Sequence, residues 1–555
     1  MSKRELTAID ILAEKYFDDS VADSPIEMTG LGINERQDEW DDFSPAGHEA
    51  DYQRAKKTLA ALAALTPVDD TDRVTAHALN ERLSITVEQH ETGSDLDNLN
   101  GIESSLHNIY MTFDLMPTET AEQRNTIARR LAAIPAAVEG WYASELASVA
   151  AGKPTTLRQC DLVSGQAETW VAPGGVWDKL AARIAKDAPA GTDLALLEQG
   201  TAAAKEATAK TITWLRETLR PLAVARDGVG PERYALASAY FVGTRVDQEA
   251  TYEWGKQQVA DIEARQVELA AQLRPGLSVI ETKKALDADP KYSIATKEEF
   301  QKWMQATANN AIAELNGTHF DIPTELQTIE CMIAPSTDGG VWYTHPTEDF
   351  SRPGRMWWSV TPEVTGFGTW AETTTVYHEG VPGHHLQIGT AVYQKEQLNR
   401  WRQMGGWTSG HGEGWALYAE TLMQELGYMD DPGLALGLLD SQAMRAVRVV
   451  IDFGVHCHFE APAEVGGGDW TFEKALQFFK NHVTAPEGQM LFEVNRYFGW
   501  AGQAPAYKIG QKTWLDIRGA VREREGDAFD LKKFHTEALN LGGLSLDTLR
   551  YALLG

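Results

Sequence analysis

The chain has 555 residues, too many for one small hydrophobic core, so one large lobed domain or two to three packed sub-domains are expected. Hydrophobic residues make up 43% and charged residues 23%, and with 17 Trp this composition excludes a disordered chain. The 80 Asp and Glu against 50 Lys and Arg leave a formal net charge of −30, which repels nucleic-acid phosphates and anionic lipid and makes neither an expected partner.

The N-terminal stretch MSKRELTAIDILAEKYFDD has no apolar segment of signal-peptide type, and no run of 18 or more apolar residues occurs. The three cysteines, Cys160, Cys331 and Cys457, are few, odd in number and far apart. That pattern fits a reduced cytoplasmic protein without a disulfide framework. Cys457 lies between His456 and His458, but neighbours in a helix point to different faces, so core packing is expected there and not chelation.

Residues 1–223 read as a helical scaffold lobe. Residues 121–152 are rich in Ala, Leu, Glu and Arg and stop at Gly152 and Pro154. Residues 193–223 carry helical periodicity and break at Pro221. Residues 224–555 read as a second, catalytic lobe that carries the small sheet and the metal-site helices and is packed as one unit. A helix is expected over 251–276. Between about 325 and 360, three β-branched and aromatic runs separated by Gly, Pro and Asp predict a small sheet: ELQTIECMIAP, GGVWYTHP and GRMWWSVTP. Helices return at about 371–427, and TFEKALQFFKNH (471–482) places Phe472, Leu476 and Phe479 on one face.

The segment VYHEGVPGHHLQ departs from the zinc-binding pattern His-Glu-x-x-His, because Pro382 stands where the second histidine belongs. His378 and His384 are six residues apart, roughly 240° of rotation and about 9 Å of rise in an ideal helix, so their rings could not share an ion. Pro382 cannot donate to the carbonyl of His378, and Gly383 tolerates unusual dihedrals. A bulge or break there would swing His384 back toward His378. His384 is the preferred second ligand, with His385 as its alternative or as a substrate contact. Downstream, HGEGWALYAETLMQELG predicts a helix with Glu413, Ala416, Leu417 and Glu420 on one face. Glu413 is the expected third ligand, and Glu420 the carboxylate that holds a ligating histidine by its second ring nitrogen. Two histidines and a glutamate suit one Zn²⁺ per chain, with Mn²⁺ or Co²⁺ as alternatives. His-Glu-His on one helix followed by Glu on the next is the pattern of gluzincin peptidases.

YHEGVPGHHLQ (377–387), HGEGWALYAE (411–420) and FGWAGQAPAYKIGQ (498–511) resemble the bacterial domain-of-unknown-function 885 proteins. The resemblance extends to RPGRMWWSVTP (352–362) and YEWGKQQ (252–258), and so over most of the chain. It implies a mainly α, two-lobed helical zincin-like fold with a small β-sheet beside the active-site helix, similar to the oligopeptidases of the thimet and angiotensin-converting class.

The expected chemistry is metal-assisted hydrolysis of short peptides, with Glu379 as general base. Tyr507 is the first candidate donor to the developing oxyanion, by analogy with downstream tyrosines of gluzincins; Tyr497 and His411 follow it. Arg445, Arg448 and Arg496 are candidates for a substrate carboxylate, against structural ion pairs such as Arg448 with Asp452 at i, i+4. The GRMWWSVTP run could offer a strand edge to an extended peptide. Another metal-dependent amide or ester hydrolase, or a non-catalytic metal-binding protein with a degenerate site, are the competing readings. Neither a Gly-x-Ser-x-Gly elbow nor a Walker-type phosphate loop is present. Oligomeric state is not legible from the sequence.

Overall fold

The computed structural model describes residues 3–334, 340–361 and 364–555; the expected runs' ends at Pro335, Gly339 and Pro362 lie outside the described residues. The fold is mainly helical, with two small sheets. Local sequence sets the helix starts. Thr120 and Gln123 form a reciprocal cap for Ala121–Ala150, while Asp193, Asp247 and Thr471 cap Leu194–Trp214, Gln248–Leu273 and Phe472–His482. In the last of these the buried residues are Ala475, Phe478 and Phe479, so the helix is turned relative to the expected Phe472–Leu476–Phe479 stripe. No helix among the described residues is long and apolar enough to cross a membrane.

The hydrophobic residues form two large cores. One gathers Leu106, Ile127, Trp141, Trp177 and Leu197, and lies between Leu99 and Leu219. The other joins Ile9, Phe17 and Val74 to Phe300, Val447, Phe453, Trp514 and Leu549. The first helices therefore share a core with the C-terminal part of the chain, while Trp40 and Phe43 pack against the core between Leu99 and Leu219. Periodicity shows that a helix has a face to bury, but not which distant face will cover it.

The three-stranded sheet has Gly354–Trp358 at its centre, parallel to Ile329–Ile333 and antiparallel to Val341–Thr344. The GRMWWSVTP strand thus has both edges paired and cannot accept a peptide strand, contrary to the sequence expectation. The outer edge of Ile329–Ile333 is covered by the helix Lys297–Leu315. Gln305 donates to Ile329 O (2.9 Å) and accepts from Cys331 N (3.1 Å), and Gln301 donates to Cys331 O (2.8 Å).

Helix Ser409–Glu425 crosses helix Ala506–Glu525 through glycine. A Cβ on Gly414 would lie 2.5 Å from Gly510 Cα, and one on Gly510 would lie 2.1 Å from Gly410 O. That close crossing sets the depth of Glu413 in the fold.

The long helix Pro432–His456 carries a buried acid. Asp452 accepts from Tyr234 Oη (2.6 Å) and Gly502 N (3.0 Å), and its Oδ2 has no partner. Burial pushes Asp452 up to about 7, against those two hydrogen bonds. A folded value raised above the unfolded 3.8 means that the stability it contributes is complete below 3.8 and is lost as pH rises through about 7. Thermal unfolding between pH 5 and 8 should show the wild type losing roughly 2–3 kcal/mol relative to Asp452→Asn, at about 1.4 kcal/mol per pH unit. Parallel pH profiles of the two proteins would contradict this assignment.

Candidate metal centre

The His-Glu helix runs Thr369–Glu379 and stops; a new helix begins at His384 and runs to Tyr393. Gly380-Val381-Pro382-Gly383 forms the link. Gly383 N donates to Tyr377 O (3.1 Å), and a Cβ at Gly383 would stand 1.9 Å from His378 O, so no side chain fits in this turn. Trp415, fully buried on the Glu413 helix, donates from Nε1 to Pro382 O at 2.8 Å. The break is thereby fastened to the helix that carries Glu413.

The result brings His378, His384 and Glu413 together, with one donor atom of each lying within 4.8 Å of the others. Glu413 Oε2 lies 3.2 Å from His378 Nε2 and 3.4 Å from His384 Nε2. The edge of a tetrahedron with ligands at about 2.0–2.1 Å is about 3.3 Å, so these two separations fit a shared zinc ion. All three side chains are largely withdrawn from solvent. The His384 Nδ1 atom is buried without a partner.

His378 is held from behind. Its Nδ1 donates to Glu420 Oε1 (2.8 Å), which leaves Nε2 facing Glu413. Glu420 is in turn fixed by Thr374 Oγ1 (2.6 Å) and Ser441 Oγ (3.1 Å), both donating to Oε2. Thr374 lies four residues before His378, one turn away on the same helix face; that spacing was the available signal for it. Ser441 and Trp415 come from packing alone. Without an ion, burial opposes charge on His378, but the Glu413 and Glu420 carboxylates outweigh it and push the imidazole up to about 10. Burial also works against Glu413, yet His384 and His378 hold it well below the ordinary carboxylate range.

Replacing the supporting carboxylate should weaken the site without abolishing it. Glu420→Gln is expected to lower zinc affinity about 10–100-fold, measured by competition with a chromophoric chelator. Unchanged affinity would show that Glu420 does not orient His378.

Glu379 is buried beside this group, and its Oε2 has no partner. Burial raises its pKa, partly opposed by His384 and His378. His385 is placed elsewhere. It is fully buried, its Nε2 donates to Leu326 O (2.9 Å) and its Nδ1 accepts from Tyr343 Oη (2.9 Å). With one nitrogen bound to the sheet and the other to the turn Thr324–Leu326, it is neither a ligand nor a substrate contact. His411 is also redirected. Two residues from Glu413 it points to another face of the helix, against Gln387 and Trp514, and burial lowers it to about 3.

Tyr497 is fully buried and donates to Glu493, so its hydroxyl is committed. Arg448 pairs with that same Glu493 through Nε (3.2 Å) and Nη2 (3.1 Å), and not with Asp452. Tyr507 lies among arginines: Arg496 Nη2 donates to its hydroxyl (3.4 Å), and Arg448 stands 4.6 Å over its ring. Among the described residues its contacts connect it to this cluster and not to the three candidate ligands.

The fold and the site define a mainly helical protein with a buried two-histidine, one-glutamate constellation. The chain belongs to the family described as bacterial protein of unknown function (DUF885), whose model matches residues 25–553. Two solved structures share the fold. One, from Colwellia psychrerythraea and called a "putative lipoprotein", has a TM-score of 0.84 at 21% identity and covers 98% of both chains. Another, from Shewanella oneidensis and called a "putative lipoprotein of unknown function", has a TM-score of 0.75 at 17% identity, covering 99% of this chain and 100% of that one. Comparison with curated proteins finds no match.

Proposed function

We propose that the chain is a zinc-dependent peptidase of gluzincin type that hydrolyses short peptides. The observation that carries this reading is the buried triad of His378, His384 and Glu413 with the unpartnered Glu379 carboxylate beside it. In such a set zinc supplies Lewis acidity, acidifying water and polarising a carbonyl. His378, His384 and Glu413 would hold the ion, and Glu420 would orient His378.

Glu379 is the proton carrier. Its carboxylate accepts a proton from the attacking water as the new C–O bond forms. The C–N bond then breaks, and the same proton passes to the leaving amine. A free carboxylate oxygen suits this role, because no hydrogen bond must first be broken. The burial of the site excludes competing water and strengthens each electrostatic contact.

The test is cleavage of a mixed library of short peptides by zinc-loaded protein, with products read by mass spectrometry and Glu379→Gln as control. Defined amide cleavage, lost in the control, supports the reading. Cleavage of model esters but of no peptide would favour the broader hydrolase class. No turnover of either by protein that holds zinc would favour a binding role.

A further inference from the structure

Arg445 is a guanidinium that makes no direct ion pair among the described residues, although Glu379, Glu420, Asp440 and Glu493 lie near it. It lies on helix Pro432–His456, its Nε is buried with no hydrogen-bond partner, and no ion pair reaches it among the described residues. Two more arginines stand beside it. Arg448, 4% exposed, spends Nε and Nη2 on Glu493, while its Nη1 is buried without a partner. Arg496 donates to Gln503 and to Tyr507 Oη and lies 3.5 Å from Glu493, while its Nε is also unpartnered. All three guanidinium groups surround the Tyr507 ring, at 6.0, 4.6 and 5.8 Å from its centroid. Among the described residues the direct ion pairs of these three arginines all go to one carboxylate, Glu493, in a chain whose net charge is −30. Unpaired buried donors of this kind are costly, and an incoming anion would satisfy them.

The cluster adjoins the candidate metal centre. Ser441, Arg445 and Arg448 fall at i, i+4 and i+7 on one helix face. Ser441 touches Glu420, the partner of His378, and Arg445 stands one turn beyond Ser441 on the same helix. From Ser441 to Arg448 the helix rises about 10 Å, the length of about three extended residues.

We infer that Arg445, with the free donors of Arg448 and Arg496, binds the C-terminal carboxylate of the peptide substrate, so that the enzyme releases short fragments from C-termini. A planar fork of N–H groups matches a carboxylate with two parallel hydrogen bonds. Tyr507 Oη accepts from Arg496, which leaves its own proton free to donate to the same carboxylate. The inference rests on the peptidase reading above, and binding separates the two.

Calorimetric titration of zinc-loaded Glu379→Gln with N-acetylated trialanine, as free acid and as C-terminal amide, is the test. The free acid should bind about 10–100-fold more tightly, as expected for hydrogen bonds to a charged group. Arg445→Ala in the same background should erase that preference, and Arg445→Lys should restore part of it. Both should remain folded at the parent's working temperature, since Arg445 makes no direct ion pair among the described residues. Equal affinity for acid and amide overturns the inference and leaves the peptidase reading standing. An amidated peptide with a terminal glutamate that binds as well as the free acid also overturns it, by assigning the pocket to a side-chain carboxylate. Binding of neither peptide, together with no cleavage by wild type, removes the peptidase reading and the inference with it.

Discussion

Elemental analysis of the wild-type protein should find about one zinc ion per chain, and Glu413→Ala and His384→Ala should each have lost it. Glu413 Oε2 faces both imidazoles, at 3.2 and 3.4 Å, so it is the atom common to the two close edges of the site. Its removal leaves two histidines, and His384→Ala leaves one histidine with one carboxylate. Loss of a carboxylate that merely orients a ligand costs about 10–100-fold in affinity, and loss of a ligand should exceed about 100-fold. His385→Gln separates the alternatives for the second histidine: with both its nitrogens bound to the sheet and loop, its replacement should leave zinc content unchanged. A wild type that holds no zinc even after the ion is added would mean that the constellation does not bind it. Zinc retained in His384→Ala but lost in His385→Gln would reverse the assignment of the two neighbours.

Glu379→Gln should lower kcat by about 10²–10⁴-fold while zinc content stays at the wild-type level, the size expected for loss of a general base. The amide fills the same space but cannot accept the proton from water. A second readout follows from its burial. The folded pKa of Glu379 lies above the ordinary 4.5, so the stability it contributes is complete below 4.5 and is lost as pH rises through the folded value. In chelated, zinc-free protein, Glu379→Gln should therefore gain thermal stability on the wild type as pH increases. Activity retained by the variant would remove Glu379 from the reaction, whatever the metal content.

Much of the candidate site was legible because its spacing is local. Within one helix, residues four and seven apart share a face, which placed Glu413 and Glu420 together before any packing was known. Pro382 and Gly383 announced a break for equally local reasons, a missing donor and a residue that tolerates unusual dihedrals. The redirected residues all depend on distant partners. His385 was read as a ligand or substrate contact, but Tyr343 and Leu326 claim its nitrogens. Arg448 has Asp452 one turn away, yet Glu493, 45 residues on, takes its guanidinium. The GRMWWSVTP run reads as a strand whether it lies at an edge or at the centre, because alternation records exposure and not neighbours.

The sequence by itself determined the helices, their caps, the mainly α class, and the kinds of side chain available to a metal. Those properties arise from backbone geometry over a few residues. Tertiary structure decided that His384 rather than His385 turns toward Glu413, that the first helices share a core with the C-terminal part, and that Arg445 is left without a direct ion pair among the described residues. Each of these choices is a competition among surfaces far apart in the chain, and it is resolved by which packing buries the most apolar area while satisfying the buried polar groups.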